Sequence, residues 1–232
     1  MSNQNRNRLY NRLIQIIHRP RSKANHQLRA RRANGQGIHS PYIFRFITTV
    51  LNSKWPYYAF EALEDVHQPE TRHTLFPILK KEPHRVQRMI FRIVNDQQPS
   101  IMLEIGNQNG IDTQYMVNAC PKAICKSITY APNSTDNQII DKTLLDLPQV
   151  DFVLFNAPAT CQQRMNEFKK CLQKVHDGTL FVVKHNHQTP EQALAWKLMH
   201  NHPQIRASID LYYLGILFFR NDLPKCKLRI KM

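Results

Sequence analysis

The stretch Ile101-Met-Leu-Glu-Ile-Gly-Asn-Gln-Asn-Gly-Ile-Asp-Thr-Gln-Tyr115 constrains this chain most. Ile101 to Ile105 is a short, mainly apolar run of the kind that forms a buried strand. Gly106 and Gly110 follow at once, and an apolar-periodic run (Ile111, Tyr115, Met116, Ala119) begins directly afterwards. Strand, glycine turn and helix in that order let the backbone approach a ligand closely and aim the new helix's N–H groups at it. Glu104, just before the turn, is placed to meet a ligand hydroxyl or amine. The pattern Glu-x-Gly-x-x-x-Gly has one glycine fewer than the dinucleotide fingerprint Gly-x-Gly-x-x-Gly. An ordinary strand-to-helix turn accounts for the same residues.

The elements around this turn alternate. Strands are expected over Lys126 to Tyr130, Asp151 to Phe155 and Thr179 to Val183. Ala207 to Leu211 and Gly215 to Phe219 read as a strand pair, with Leu228 to Ile230 as an edge. Helical stripes run through Val86, Met89, Ile90, Ile93 and Val94, through Arg164 to Val175 with Gly178 as C-cap, and from Pro190 to Met199. The alternation predicts an α/β fold with a mostly parallel sheet covered on both faces, made mixed by a C-terminal antiparallel hairpin. Upstream, Gly37-Ile-His-Ser-Pro41 forms a compact turn in which Ser40 caps a helix and Pro41 occupies its first turn. That helix carries Ile43, Phe44, Ile47, Val50 and Leu51 inward. Trp55-Pro-Tyr-Tyr-Ala-Phe60 reads as core, or as the wall of a pocket. A length of 232 residues suits one such domain with an N-terminal extension. The expected division is a basic helix and linker over 1–36, a helical part over 37–83 and the α/β domain over 84–232.

Charge is unevenly spread. All 17 acidic residues lie beyond residue 60, whereas eleven of the 32 Lys and Arg lie between Arg6 and Lys54. Most of the net charge of +15 therefore comes from the first quarter. Leu9, Leu13, Ile16 and Ile17 recur at helical spacing among arginines and stop before Pro20, which reads as a short basic amphipathic helix. Its apolar side packs on the domain or lies on a membrane surface. Residues 19–37 read as a basic linker. The five cysteines form no C-x-x-C pair, which suggests reduced thiols in a cytoplasm. No apolar run reaches membrane-spanning length, and the amphipathic helix leaves peripheral membrane contact as the alternative.

At this point several boxes taken together resemble a group of bacterial class I S-adenosylmethionine (SAM)-dependent methyltransferases. The shared boxes are Gly37-Ile38-His39-Ser40-Pro41-Tyr42, Tyr57 to Glu61, Leu103-Glu104-Ile105-Gly106 with Gly110-Ile111-Asp112-Thr113, Ala195-Trp196, and Ile209 to Arg220. The resemblance implies a Rossmann-like methyltransferase sheet with N-terminal helices and SAM as cofactor. It further implies Glu104, Gly106, Asn107, Gly110, Thr129 and Asn156 around the cofactor. The chain departs from the family's pattern where chemistry is expected. Thr129 or Tyr130 stands where an acid would hold the ribose. Phe155-Asn156-Ala157-Pro158-Ala159 replaces a pattern like Ile-Asp-Gly-Asn-His. Lys184-His185-Asn186-His187-Gln188-Thr189 replaces one like Asp-Asp-Ile-His-Trp-Ser. Of that last set His187 survives, as a candidate general base or as a histidine at the sheet mouth without catalytic duty. Lys184 and His185 in place of paired carboxylates remove hard-oxygen ligands, so no metal is expected. His185-x-His187 is a weak zinc signal, because two histidines lack a third ligand.

Two functions follow. One is a SAM-dependent methyltransferase acting on oxygen or nitrogen. The other is a methyltransferase-fold binding module without catalysis, whose basic residues 6–32 meet nucleic acid or anionic lipid. Attraction of that kind releases counterions. Any binding of the full chain to RNA or to anionic vesicles is therefore expected to fall steeply between low and physiological salt. Gel shift and co-sedimentation at two salt concentrations check this, and a salt-independent signal would speak against the charge as its cause.

Overall fold

The computed structural model describes residues 23–32, 37–66, 84–107, 109–129, 138–156 and 159–231. The expected helix at Leu9 to Ile17 lies outside these residues, as does Tyr130. A helix over 23–29 (α1) leads into β1 (Arg31–Arg32). Then come α2 (Pro41–Arg45), continued by a π-helical turn over Phe46–Leu51, and α3 (Tyr58–Val66), α4 (His84–Gln97), β2 (Ile101–Ile105) and α5 (Ile111–Ala119). The chain proceeds through β3 (Ile124–Ile128), α6 (Gln138–Leu145), β4 (Phe152–Phe155), α7 (Cys161–Cys171), β5 (Leu180–Lys184) and α8 (Pro190–His200). It closes with β6 (Ala207–Asp210), β7 (Leu214–Phe218) and β8 (Cys226–Lys231).

Seven strands lie in the order β8-β6-β7-β5-β4-β2-β3, and the two-residue β1 pairs with β8. All neighbours are parallel except those of β7, which runs antiparallel to β5 and to β6. The mostly parallel sheet with an antiparallel hairpin is thus the fold that the sequence predicts. After β2 the chain crosses first to β3 on one side and then to β4 on the other. The strand order therefore reverses at β2, and the C-terminal ends of β2 and β4 flank the crevice where open α/β sheets bind ligands.

Side chains alternate across the sheet. Met102, Phe152, Leu154, Leu180 and Val182 pack under α2 to α5. Leu103, Ile105, Val153, Phe155, Phe181 and Val183 pack under α6 to α8 with Phe168, Trp196 and Met199. β2, β4, β5 and β7 are buried along their whole length, which explains their near-continuous apolar sequence, and β6 is buried although it carries Ser208 and Asp210. β3 closes one edge and is largely exposed, so Lys126 is tolerated there.

The N-terminal turn behaves as expected. Ser40 Oγ accepts from the Ile43 amide at 3.4 Å, Pro41 begins the helix, and Gly37 takes a left-handed φ of 74°. Arg45 then makes a bidentate pair with Asp96 of α4, at 2.6 and 3.0 Å, while the buried Ile43, Phe46 and Ile47 seat this segment on the domain.

Three expectations are corrected. Phe44, expected to point inward from α2, is 45% exposed. Part of the stretch read as a linker is regular: residues 23–29 are helical and β1 extends the sheet through β8. Here the apolar periodicity that signals structure is missing, because only His26 of α1 is buried. Gly178 does not cap α7, which ends at Cys171 in a short 3-10 turn over Leu172–Lys174. Gly178 instead sits in the turn before β5, its amide donating to His176 Nδ1 at 3.1 Å.

Gly215 shows how tightly β7 is packed. A Cβ there would lie 2.4 Å from Cζ3 of Trp196, an indole that is 2% exposed. Neither partner has room to retreat, since β7 is paired on both sides. Gly215→Ala is expected to destabilise the fold by about 1–3 kcal/mol through overpacking. Urea denaturation monitored by circular dichroism checks the value, and an unchanged midpoint would contradict the packing described.

Candidate functional site

The glycine turn sits at the reversal point. Gly106 and Gly110 adopt φ of 84° and 72°, the left-handed region that side chains disfavour. The amides of Gly106 and Asn107 both donate to the Ile128 carbonyl, at 2.8 and 3.0 Å, which holds the turn against the end of β3. Thr129 is the next residue of that strand and is exposed. Asn107 organises the turn from within. Its Nδ2 donates to Ser127 Oγ at 2.8 Å and to Thr113 Oγ1 at 2.9 Å, and its Oδ1 accepts from the Gly110 amide at 2.7 Å. Gly110 forms the N-cap of α5 without a side-chain cap, so this helix start rests on backbone conformation and on Asn107.

Beneath the turn lies a buried polar network that the sequence only partly signals. Glu104 is fully buried. Its Oε1 accepts from Asn156 Nδ2 at 2.6 Å, and its Oε2 accepts from Thr113 Oγ1 and, at 3.4 Å, from Ser127 Oγ. The same Asn156 amide donates to Asp112 Oδ2 at 2.8 Å. Lys184 Nζ donates to that oxygen at 2.8 Å, and Gln87 Nε2 reaches Asp112 Oδ1 at 3.4 Å. Burial raises the Glu104 carboxyl above its ordinary value, against the lowering effect of the bonds from Thr113 and Asn156. Glu104, expected to face a ligand, is thus occupied by protein donors and holds β2, β4 and α5 together.

A second cluster lies at the C-terminal ends of β5 and β6. Asp210 Oδ2 accepts from His187 Nε2 at 2.8 Å and from Trp196 Nε1 at 3.3 Å. Asp210 Oδ1 accepts from the Tyr212 amide at 3.0 Å and Asn186 Nδ2 at 3.3 Å. His26 of α1 places Nε2 3.1 Å from the Asp210 carbonyl and 3.3 Å from Oδ1. Burial alone would raise the Asp210 carboxyl, yet hydrogen bonds from His187 and His26 outweigh it and hold that carboxyl well below the usual carboxylate range. An ionised carboxylate only accepts, so His187 donates to Asp210 from Nε2. Tyr212 stacks on the His187 ring at 5.5 Å and 9°, with His26 edge-on at 5.8 Å. His185 and Tyr212 have left-handed φ of 61° and 74°, so backbone strain is concentrated at this mouth.

Two separate groupings therefore contain the residues expected around a site. Glu104, Gly106, Asn107, Gly110 and Asn156 come together at the turn, with Thr129 at its rim. His187 belongs to the Asp210 cluster instead. Asp112, Lys184, Asp210 and His26 are new. Asp112 stands in the shared Gly110 to Thr113 box without a role of its own, and nothing local marks His26. Among the described residues no group of three His, Cys, Asp or Glu converges as a metal would require, and all five cysteines are free. No helix among them is long and apolar enough to cross a membrane.

Because the Asp210 carboxyl is held low in the folded state, its stabilising effect is complete above the unfolded value and fades as pH falls below it. Asp210→Asn should therefore lower stability at neutral pH and flatten the acid limb below about pH 4. Urea midpoints measured from pH 7 down to pH 3 test this, and parallel curves for the two proteins would contradict it.

Solved structures share this architecture. The SAH-bound methyltransferase PaMTH1 of Podospora anserina is 11% identical, over 78% of this chain and 97% of that one, with a TM-score of 0.52. The O-methyltransferase TomG of Streptomyces achromogenes, in complex with SAM, is 12% identical over 77% and 95% of the chains, with a TM-score of 0.48. An O-methyltransferase from Bacillus cereus in complex with SAH is 10% identical over 74% and 96%, also with 0.48. No family model matches the chain, and no curated protein matches it in sequence. At these identities the likeness is one of fold, and the chain has a methyltransferase-like α/β fold.

Proposed function

We propose that this protein is a SAM-dependent methyltransferase that binds its cofactor weakly and transfers the methyl group to an oxygen or nitrogen acceptor. The observation that carries the reading is the left-handed Gly106–Gly110 turn, at the strand-order reversal and opening directly onto the N-terminus of α5. The fit is partial. Backbone at Gly106 and Gly110 allows close approach, and a Cβ at Gly110 would meet no atom within 4 Å. Thr129 offers one hydroxyl where a carboxylate would grip a ribose diol. Charge-assisted hydrogen bonds contribute roughly 1.5–3 kcal/mol each, so binding falls by about tenfold or more. SAM supplies an activated methyl group when bound.

The chain's own residues supply positioning and a base. Asn107 sets the turn, and Glu104 holds α5 from behind. Asp210 orients His187 so that Nδ1 can accept the acceptor's proton. Methyl transfer needs little beyond close in-line placement, so the missing acids do not forbid it. Membership of the family with the Gly-Ile-His-Ser-Pro box rests on the Gly37 to Tyr42 and Ile209 to Arg220 boxes.

One observation favours a second reading. The network of Glu104, Asn156, Asp112 and Lys184 is satisfied without any ligand, as befits a fold kept for binding alone. In that reading the basic residues 6–32 meet an anionic partner. Among its described members Lys23 and Arg29 are exposed on α1, and Arg31 and Arg32 form β1.

Calorimetric titration of the full chain with SAM and SAH separates the two readings. Weak saturable binding is expected, and Gly106→Asp is expected to abolish it by placing a charged side chain where the ligand meets backbone. Circular dichroism checks that the variant stays folded. No heat with either ligand would leave the binding-module reading, and unchanged affinity in the folded variant would overturn the site assignment.

A further inference from the structure

A cleft of about 1090 Å³ lies away from the glycine turn, between the segment 51–58, α3 and α4. None of Gly106, Gly110, Asn156 and His187 lines it. Its α4 wall carries Arg85, Arg88 and Arg92, spaced by three and four residues and so on one side of the helix. Gln87 of the same helix reaches Asp112 instead, so α4 separates the cleft from the network.

The charges in the cleft do not balance. Arg88 is matched by Glu64, with Nε and Nη2 at 2.5 and 2.6 Å from its two oxygens. Arg92 is 9% exposed and has no carboxylate partner among the described residues. Its Nη1 donates to the Ser53 carbonyl at 2.8 Å, and its buried Nε has no acceptor. Burial lowers the Arg92 guanidinium's proton affinity, and Arg88 and Arg85 lower it further. Lys54 and Arg85 line the same cleft and are exposed, with Glu61 as the remaining acid. A buried guanidinium without an anion is costly, and the neighbouring cations add to that cost.

The rim is aromatic. Trp55 is 78% exposed and Tyr58 93%, although the neighbouring Phe60 and Phe91 are buried. Large exposed rings beside unmatched cations make a stacking platform next to an anion site. We propose that this cleft binds a nucleotide, its base stacked on Trp55 and Tyr58 and its phosphate against Arg85 and Arg92. The nucleotide is either free or part of a single-stranded nucleic acid, since both present the same ring and phosphate. The proposal does not depend on methyl transfer.

The test is calorimetry on the full chain with adenosine 5′-monophosphate, adenosine, inorganic phosphate and a ten-residue oligoadenylate. Saturable binding is expected for the monophosphate or the oligonucleotide, with adenosine and phosphate each weaker by about tenfold or more. Trp55→Leu and Arg85→Gln alter exposed side chains and should each weaken binding by about tenfold, with unchanged circular dichroism. Gly106→Asp should leave it intact, which separates this cleft from a cofactor site that also takes adenosine. An oligonucleotide that binds at least about tenfold more tightly than the monophosphate identifies a single strand as the ligand, and equal affinity identifies a free nucleotide. Absence of binding by both, adenosine binding as tightly as its phosphate, indifference to both cleft variants, or loss in Gly106→Asp would each overturn the proposal.

Discussion

The contact on which the sheet mouth depends is the buried ion pair of Lys184 and Asp112. Both side chains are at most 4% exposed, and their oxygen and nitrogen lie 2.8 Å apart. Two charges removed from water gain little net stability from each other, but removing one partner typically costs about 3–5 kcal/mol. The pair therefore acts as a lock. Through Asn156 it extends to Glu104, so β2, β4, β5 and α5 meet at one hydrogen-bonded point, and Gln87 adds α4. The glycine turn stands on this point.

The lock bears on how the turn meets a ligand. In the resemblance Glu104 is a cofactor residue, yet here its oxygens accept from Asn156, Thr113 and Ser127. A carboxylate so engaged supports the turn rather than facing outward. The ligand contacts left at the turn are backbone N–H groups and neutral side chains. That is the physical basis for the weak cofactor affinity proposed above, and it is also why a ligand-free binding module is a coherent second reading.

Asp210 organises the other half of the mouth. It receives two histidines, an indole, an amide and a backbone N–H, and it joins β6 to α1, 184 residues earlier in the chain. Residues 23–32 are consequently part of the α/β unit, through His26 on Asp210 and β1 on β8. The basic charge of Lys23 and Arg29 is displayed on a helix anchored at the mouth, on its exposed side.

Elements whose signals are local were legible in the amino-acid sequence. The Ile101–Ile105 strand was legible because a run buried on both faces must be apolar, and the Gly106–Gly110 turn because only glycine accepts its φ cheaply. Ser40 and Pro41 announced a helix start for the same kind of reason. Gly178 misled, because a glycine after a helix also suits an ordinary turn. The tertiary structure alone decided that Lys184 meets Asp112 across 72 residues, that His187 turns to Asp210, and that Glu104 faces inward. Those partnerships depend on strand register and on which helix covers which face. They belong to no window of neighbouring residues, so they arise only when the sheet is assembled.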